Sequence, residues 1–155
     1  MNLAYIGIGS NIEPQINIPQ ALRLLNAQVR LVNISSLWHT DAIGAISPPF
    51  LNAAVSLQTE LSAHDLKEEI LCQIEELLGR VRTTDKNSPR PIDLDILLFN
   101  NEIQDPLIFT MDHLIFPLSE IIPELIDPET RRTLLEIAEN HIKTTSAFRF
   151  CNLTF

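Results

Sequence analysis

The apolar positions of this chain change period several times, and each change marks an element. Leu3–Ile8 is a short apolar run containing Tyr5 and reads as a strand, closed by a turn at Gly9-Ser10-Asn11. Residues 18–29 (IPQALRLLNAQV) repeat at helical spacing, with Pro19 near the expected first turn, where a proline costs least. Leu31–Trp38 reads as a second strand, His39–Pro49 as a loop holding Gly and Pro, and Phe50–Thr59 as a third strand. Ser62 is placed to cap a helix running to about Leu78, with Asp65 three residues on as a weak capping box. A polar loop, Gly79–Arg90, leads into a fourth strand, Ile92–Phe99. Shorter pieces follow: Leu107–Phe109, a turn of helix at Pro117–Ile121, a helix near Glu129–His141 and an edge strand in the tail SAFRFCNLTF. No repeat, low-complexity tract or linker interrupts this order, so residues 1–155 read as one domain. The order strand-helix-strand-strand-helix-strand is the ferredoxin-like βαββαβ pattern. The expected class is therefore α+β, with additional C-terminal strands and helices.

Composition narrows the partners. The 155 residues are 45% hydrophobic and 20% charged, an ordinary globular mix in a chain long enough for a sizeable core. A net charge of −9 argues against nucleic acid and membrane surfaces, because phosphate backbones and anionic headgroups would be repelled. Against that background one loop stands out. Arg80, Arg82, Lys86 and Arg90 put four of the eleven basic residues between Gly79 and Arg90. Guanidinium groups grip phosphate oxygens through paired hydrogen bonds, so the loop suits a polyphosphate. Cys72 and Cys151 lack metal-ligand spacing and read as reduced thiols of a cytoplasmic protein. MNLAYIGIGSN has neither the basic nor the apolar region of a secretory signal, and no stretch is apolar enough to span a membrane.

The basic loop feeds Asp93-Leu94-Asp95. Strand alternation sends Ile92, Leu94 and Ile96 to one face and both aspartates to the other. Side-by-side carboxylates repel unless a cation lies between them, and Mg²⁺ prefers such oxygen ligands. Taken alone, Asp-x-Asp is a polar strand face. Followed by Ile96-Leu97-Leu98-Phe99, which looks buried on both faces, and preceded by four cations, it points to a metal site. The other candidates have plainer readings beside the functional ones. Asn52 could be a satisfied buried amide, Phe50 a core ring and His113 an ordinary surface or core histidine. Gly7, Gly9 and Asn11 could simply form a tight turn. One of Glu75 and Glu76 belongs to a solvated helix face, and Arg131 and Arg132 face solvent.

Five blocks in order carry a resemblance: AYIGIGSN at 4–11, FLNAAV at 50–55, IEELLGRVR at 74–82, PRPIDLDILLF at 89–99 and, more weakly, PLSEIIPEL at 117–125. Together they resemble the 6-hydroxymethyl-7,8-dihydropterin pyrophosphokinase family of folate biosynthesis. The resemblance implies a ferredoxin-like core in a mostly monomeric, cytoplasmic enzyme. It implies transfer of the β,γ-pyrophosphoryl unit of ATP to the pterin hydroxymethyl group, releasing AMP, with two Mg²⁺ ions. By the same resemblance Asp93 and Asp95 match the metal-binding pair, Asp95 also on the pterin side. Arg80 and Arg90 match catalytic arginines on the ATP phosphates, with Arg82 and Lys86 on the same loop. Glu75, Thr110 and His113 match further ATP-site residues. Phe50 and Asn52 match the pterin pocket, and Thr40, Ile43 and Gly44 fall in the loop that reads the pterin ring.

The chain departs from the family pattern in several places. Arg-Trp-Gly-Pro-Arg becomes Lys86-Asn87-Ser88-Pro89-Arg90, a nucleotide-contacting glutamine becomes Cys72, and an arginine near the nucleotide becomes Ile108. Only Leu114-Ile115-Phe116 separate His113 from Pro117, where the family pattern is longer and includes an arginine and a pterin-stacking phenylalanine. Phe116 is the candidate to replace that ring. Two other readings stay open here. One is a weakly active or non-catalytic homologue that binds a pterin or nucleotide. The other is a transferase for another heterocyclic alcohol.

Overall fold

The computed structural model describes residues 1–42 and 47–153. Ile43 and Gly44, expected in the pterin loop, lie outside the described residues. In chain order the elements are β1 (Asn2–Ser10), α1 (Pro14–Asn26), β2 (Arg30–Ile34), β3 (Leu37–Thr40) and β4 (Phe50–Thr59). A helical rod follows, made of α2 (Ala63–Asp65), a π-helical stretch Leu66–Leu71 and α3 (Cys72–Leu77). Then come β5 (Asp93–Phe99), β6 (Glu102–Ile103), a 3₁₀ turn Pro106–Phe109, α4 (Asp112–Ile121), α5 (Leu134–His141) and β7 (Phe148–Cys151).

β1 lies inside the sheet, antiparallel to β4 on one side and to β5 on the other. The strand order is β6-β5-β1-β4-β3-β7, with β2 also paired to β4. Alternation along β1 decides what covers each face. Ala4, Ile6 and Ile8 join a core with Ile18, Leu22 and Leu25 of α1 and with Leu66, Leu71 and Ile74 of the rod. Tyr5 points the other way, into a second core with Trp38, Leu98, Phe116, Leu118 and Leu134 under α4 and α5. The rest of that second face, at the Gly7–Gly9 end of β1, borders an open cavity.

The four core strands and both long helical stretches lie where the hydrophobic pattern predicts them, with informative differences. α1 begins at Pro14, a proline at its first turn, so Pro19 sits inside it. The carbonyl that Pro19 cannot engage is that of exposed Gln15, which water can reach. The expected strand Leu31–Trp38 is broken into β2 and β3 at Ser35-Ser36. There Ser35 Oγ accepts from Ala54 N at 2.9 Å and Ser36 N donates to Glu120 Oε2 at 2.7 Å. Ser62 caps the rod through Asp65 N at 3.1 Å, but the Asp65 carboxylate takes the Ser62 hydroxyl, so the box is only half formed. Helix near residues 129–141 is shorter, starting at Leu134 behind a full capping box of Thr133 and Glu136. Pro117 does not start a helix; it lies within α4.

In β5 the register shifts opposite Tyr5 and Ile6, so Leu97 is an extra residue. Ile92, Leu94, Ile96 and Phe99 therefore pack toward α1 and the rod, while Leu97 and Leu98 both pack toward α4. This bulge is how Ile96–Phe99 becomes buried on both faces.

Candidate active site

The cavity, of about 210 Å³, is bordered by β1, β3, β4 and β5, by the Gly79–Arg90 loop and by the start of α4. Its lining includes Gly7, Gly9, Thr40, Phe50, Asn52, Lys86, Arg90, Asp93, Asp95 and His113. Phe50 and Asn52 share one face of β4, as strand period requires. Asn52 is 3% exposed and its amide donates to Thr40 Oγ1 at 2.6 Å. That bond leaves Oδ1 over Gly9, where a Cβ would stand only 3.1 Å from it. Glycine at position 9 is thus what lets the amide and the Phe50 ring lie close to the floor.

The opposite end is charged. Arg80 Nη1 bonds Asp93 Oδ1, and Arg90 Nη1 bonds Asp93 Oδ2 at 3.1 Å. Burial pushes the Asp93 carboxyl upward, but the two arginines and Lys67 outweigh it, and the net direction is downward. Asp95, whose side chain is 56% exposed, has a separate cation: Lys67 Nζ at 3.1 Å. The expected repulsion between the two aspartates is therefore already answered, each carboxylate by its own partner. Among the described residues no group of three or more His, Cys, Asp or Glu is arranged to hold a metal. Asp93 and Asp95 still offer hard oxygen donors beside an accessible cavity, which fits Mg²⁺ better than a softer ion.

Glu75 lies behind this cluster rather than in the cavity. It is 2% exposed, while Glu76 faces solvent. Its Oε1 accepts from Arg80 at 2.8 Å and from Leu94 N at 2.8 Å, and its Oε2 from Arg82 at 3.0 Å. Burial lifts its carboxyl above the usual range despite those donors. The approach of Arg80 is set by Gly79, whose φ of +91° ends the rod in the left-handed region. Asn11 fixes Arg90, accepting from its backbone N at 2.8 Å and donating to Pro48 O at 3.1 Å. His113 lines the cavity with its imidazole pushed below the ordinary value by burial, against the raising fields of Asp105, Asp93, Asp112 and Asp95.

Two expectations need correction or relocation. Phe116 does not face the cavity. It is 2% exposed and stacks on Trp38 with ring centroids 4.7 Å apart, because α4 begins immediately at Asp112 and turns residue 116 onto its buried side. Leu114 and His113 border the cavity there instead. Thr110 is exposed on a neighbouring groove that shares Thr40, Asp41 and His113 with the cavity. Four contributors lie outside the site assigned from the sequence. Gly7 and Gly9 were signalled by small residues at alternate strand positions, which call for a close approach. Asn11 gave no signal beyond a turn. Lys67 gave none, since Lys-Glu-Glu on a helix reads as a solvated face.

A sheet face with two carboxylates, flanked by arginines and ending in an aromatic and an amide, defines a small α+β protein with one cavity that is charged at one end and lined by a ring and an amide at the other. The 7,8-dihydro-6-hydroxymethylpterin-pyrophosphokinase family model matches residues 5–123, and the chain belongs to that family. It is 38% identical over 136 residues to the Bacillus subtilis 2-amino-4-hydroxy-6-hydroxymethyldihydropteridine pyrophosphokinase, covering 80% of each chain. The Synechocystis protein of the same name is 30% identical over 147 residues, 88% of this chain and 74% of that one. The fold is similar to the crystal structure of wild-type Plasmodium falciparum HPPK-DHPS, with a TM-score of 0.71 at 14% identity. That match takes in 92% of this chain and 44% of the Plasmodium chain.

Proposed function

We infer that this protein transfers pyrophosphate from ATP to 6-hydroxymethyl-7,8-dihydropterin, giving AMP and the pterin diphosphate, a step of folate biosynthesis. The observation that carries the reading is one cavity with Asn52 and Phe50 at one end and Arg90, Lys86, Asp93 and Asp95 at the other. Asn52 presents a fixed amide edge to the pterin, and Phe50 an apolar face. Arg90 and Lys86 meet the phosphates, with Arg80 behind Asp93. Arg82, Thr110 and His113 complete the ATP side. Glu75 acts from below by holding Arg80 and Arg82. Asp93 and Asp95 would hold two Mg²⁺ ions, which would supply neutralisation of the phosphate charge. Little covalent chemistry is asked of the protein itself: it orients two substrates and stabilises charge. A monomer in the cytoplasm, as the family resemblance implies, completes the reading.

The test is AMP formation by the purified protein from ATP, Mg²⁺ and 6-hydroxymethyl-7,8-dihydropterin, followed by chromatography. AMP must appear in step with the pterin diphosphate. ATP binding without AMP would favour the non-catalytic homologue. AMP only with another hydroxymethyl heterocycle would move the acceptor.

A further inference from the structure

Lys67 is a cation that neither the nucleotide nor the pterin assignments use. It sits in the π-helical stretch, on the far side of the sheet edge from the cavity, and it reaches around that edge. Its Nζ donates to Leu94 O at 2.5 Å and to Asp95 Oδ1 at 3.1 Å, and lies 3.8 Å from Glu75 Oε1. Glu75 takes the other polar group of the same residue, Leu94 N. The edge of β5 is free there, because β6 pairs only with Leu98 and Phe99. Lys67 and Glu75 thus replace a missing neighbouring strand at Leu94.

The π stretch explains how both reach one residue. In an α-helix, positions eight apart end about 80° out of line. A wider π turn over Leu66–Leu71 takes less rotation per residue and draws Lys67 and Glu75 onto one side of the rod. Lys67 is also the only cation paired with Asp95 among the described residues, whereas Asp93 has two arginines.

We propose that Lys67 is a resident counter-ion which occupies Asp95 in the metal-free protein and yields that carboxylate when a divalent cation binds. This rests on the reading of Asp93 and Asp95 as the metal pair. Leu94 O remains as an anchor for Nζ during the exchange, so the ammonium need not leave the sheet edge. The half-exposed Asp95 carboxylate is the one free to rotate toward the cavity; Asp93 is fixed on both oxygens. Mg²⁺ therefore competes with Lys67 for its ligand, and empty protein is protected from bare carboxylate repulsion.

Mn²⁺ alone is the probe, counted as free ion by electron paramagnetic resonance. Lys67→Gln keeps a donor for Leu94 O and removes the charge, so it should bind Mn²⁺ at least about threefold more tightly than wild type, the scale of a partly exposed ion pair. Lys67→Arg, which keeps the charge, should bind as wild type does. Reductive methylation read by mass spectrometry gives a second signal: Mn²⁺ should raise labelling of Lys67 relative to Lys143. Equal or weaker Mn²⁺ binding by Lys67→Gln, with wild type binding normally, would overturn the exchange and leave a purely structural lysine. No Mn²⁺ binding by wild type would overturn the metal assignment itself, and the exchange with it.

Discussion

At the scale of single residues, chemistry and stability meet in the same side chains. Asp93 is the clearest case, since two guanidinium groups converge on it. Asp93→Asn should abolish AMP formation and also cost about 2 kcal/mol, because it leaves part-buried Arg80 and Arg90 short of a charge partner. Asp95→Asn should abolish AMP formation with little loss, since Asp95 is half exposed and its one ion pair is weakly worth keeping. Urea denaturation of the two variants beside the chromatographic assay checks both halves; equal stability loss in the two would contradict the different partners seen for them. Asn52 separates the substrates. Asn52→Ala removes the fixed amide over Gly9 and should weaken pterin binding about tenfold or more, since a site built for a polar edge loses its partner. ATP affinity should stay unchanged, measured by calorimetry with a non-hydrolysable analogue. A parallel loss of both would mean that Asn52 supports the sheet rather than the ring.

At the scale of elements, the site depends on how the rod grips the exposed edge of β5. Glu75 joins α3 to Leu94 N and to both arginines of the following loop, so one buried carboxylate orders a helix, a strand and a loop. Glu75→Ala should cost about 3 kcal/mol, the loss expected when one partner of a buried ion pair is removed. It should also raise the KM for ATP more than that for the pterin, because Arg80 and Arg82 lose their anchor while Asn52 does not. An unchanged KM for ATP would show that Asp93 alone holds Arg80 in place. The strands that carry the site were readable because period 2 is strong where one face is buried. Phe50, Asn52, Asp93 and Asp95 all came to the face their spacing predicts. What could not be read depends on tertiary partners. Nothing local distinguishes Lys67 from its exposed neighbours Glu68 and Glu69, since its partners lie on β5. Phe116 was the candidate for the pterin-stacking ring, and what turns it toward Trp38 instead is the start of α4 at Asp112. The bulge at Leu97 likewise arises from pairing with β1 and has no mark in the apolar run itself.

At the scale of the whole molecule, an acidic protein puts Lys86 and Arg90 on the lining of one cavity and gathers Lys67, Arg80 and Arg82 behind it around Glu75. Overall charge of −9 repels a polyphosphate, so the local cations must win at short range, where screening is least. The same concentration of charge shapes how stability responds to acid. Asp93 is held below its usual 3.8, so the stability it contributes is present above that value and is lost as pH falls through its folded pKa. His113 acts in a higher window. Burial lowers it from 6.5, so the unfolded chain binds this proton more readily than the folded protein. The advantage of a neutral His113 is complete above 6.5 and drains away as pH falls from there toward the folded value, at no more than about 1.4 kcal/mol per pH unit. His113→Gln removes the titrating group and keeps a polar side chain, so its stability should fall less between pH 7 and pH 5.5 than that of wild type. Urea midpoints at the two pH values, taken for both proteins, measure the difference directly. The bound polyphosphate of the proposed reaction would add negative charge beside the imidazole, favour its protonated form and shrink the wild-type loss. If wild type and His113→Gln lose stability equally over that range, with or without MgATP, then the protons are taken up elsewhere and His113 is no part of the acid response.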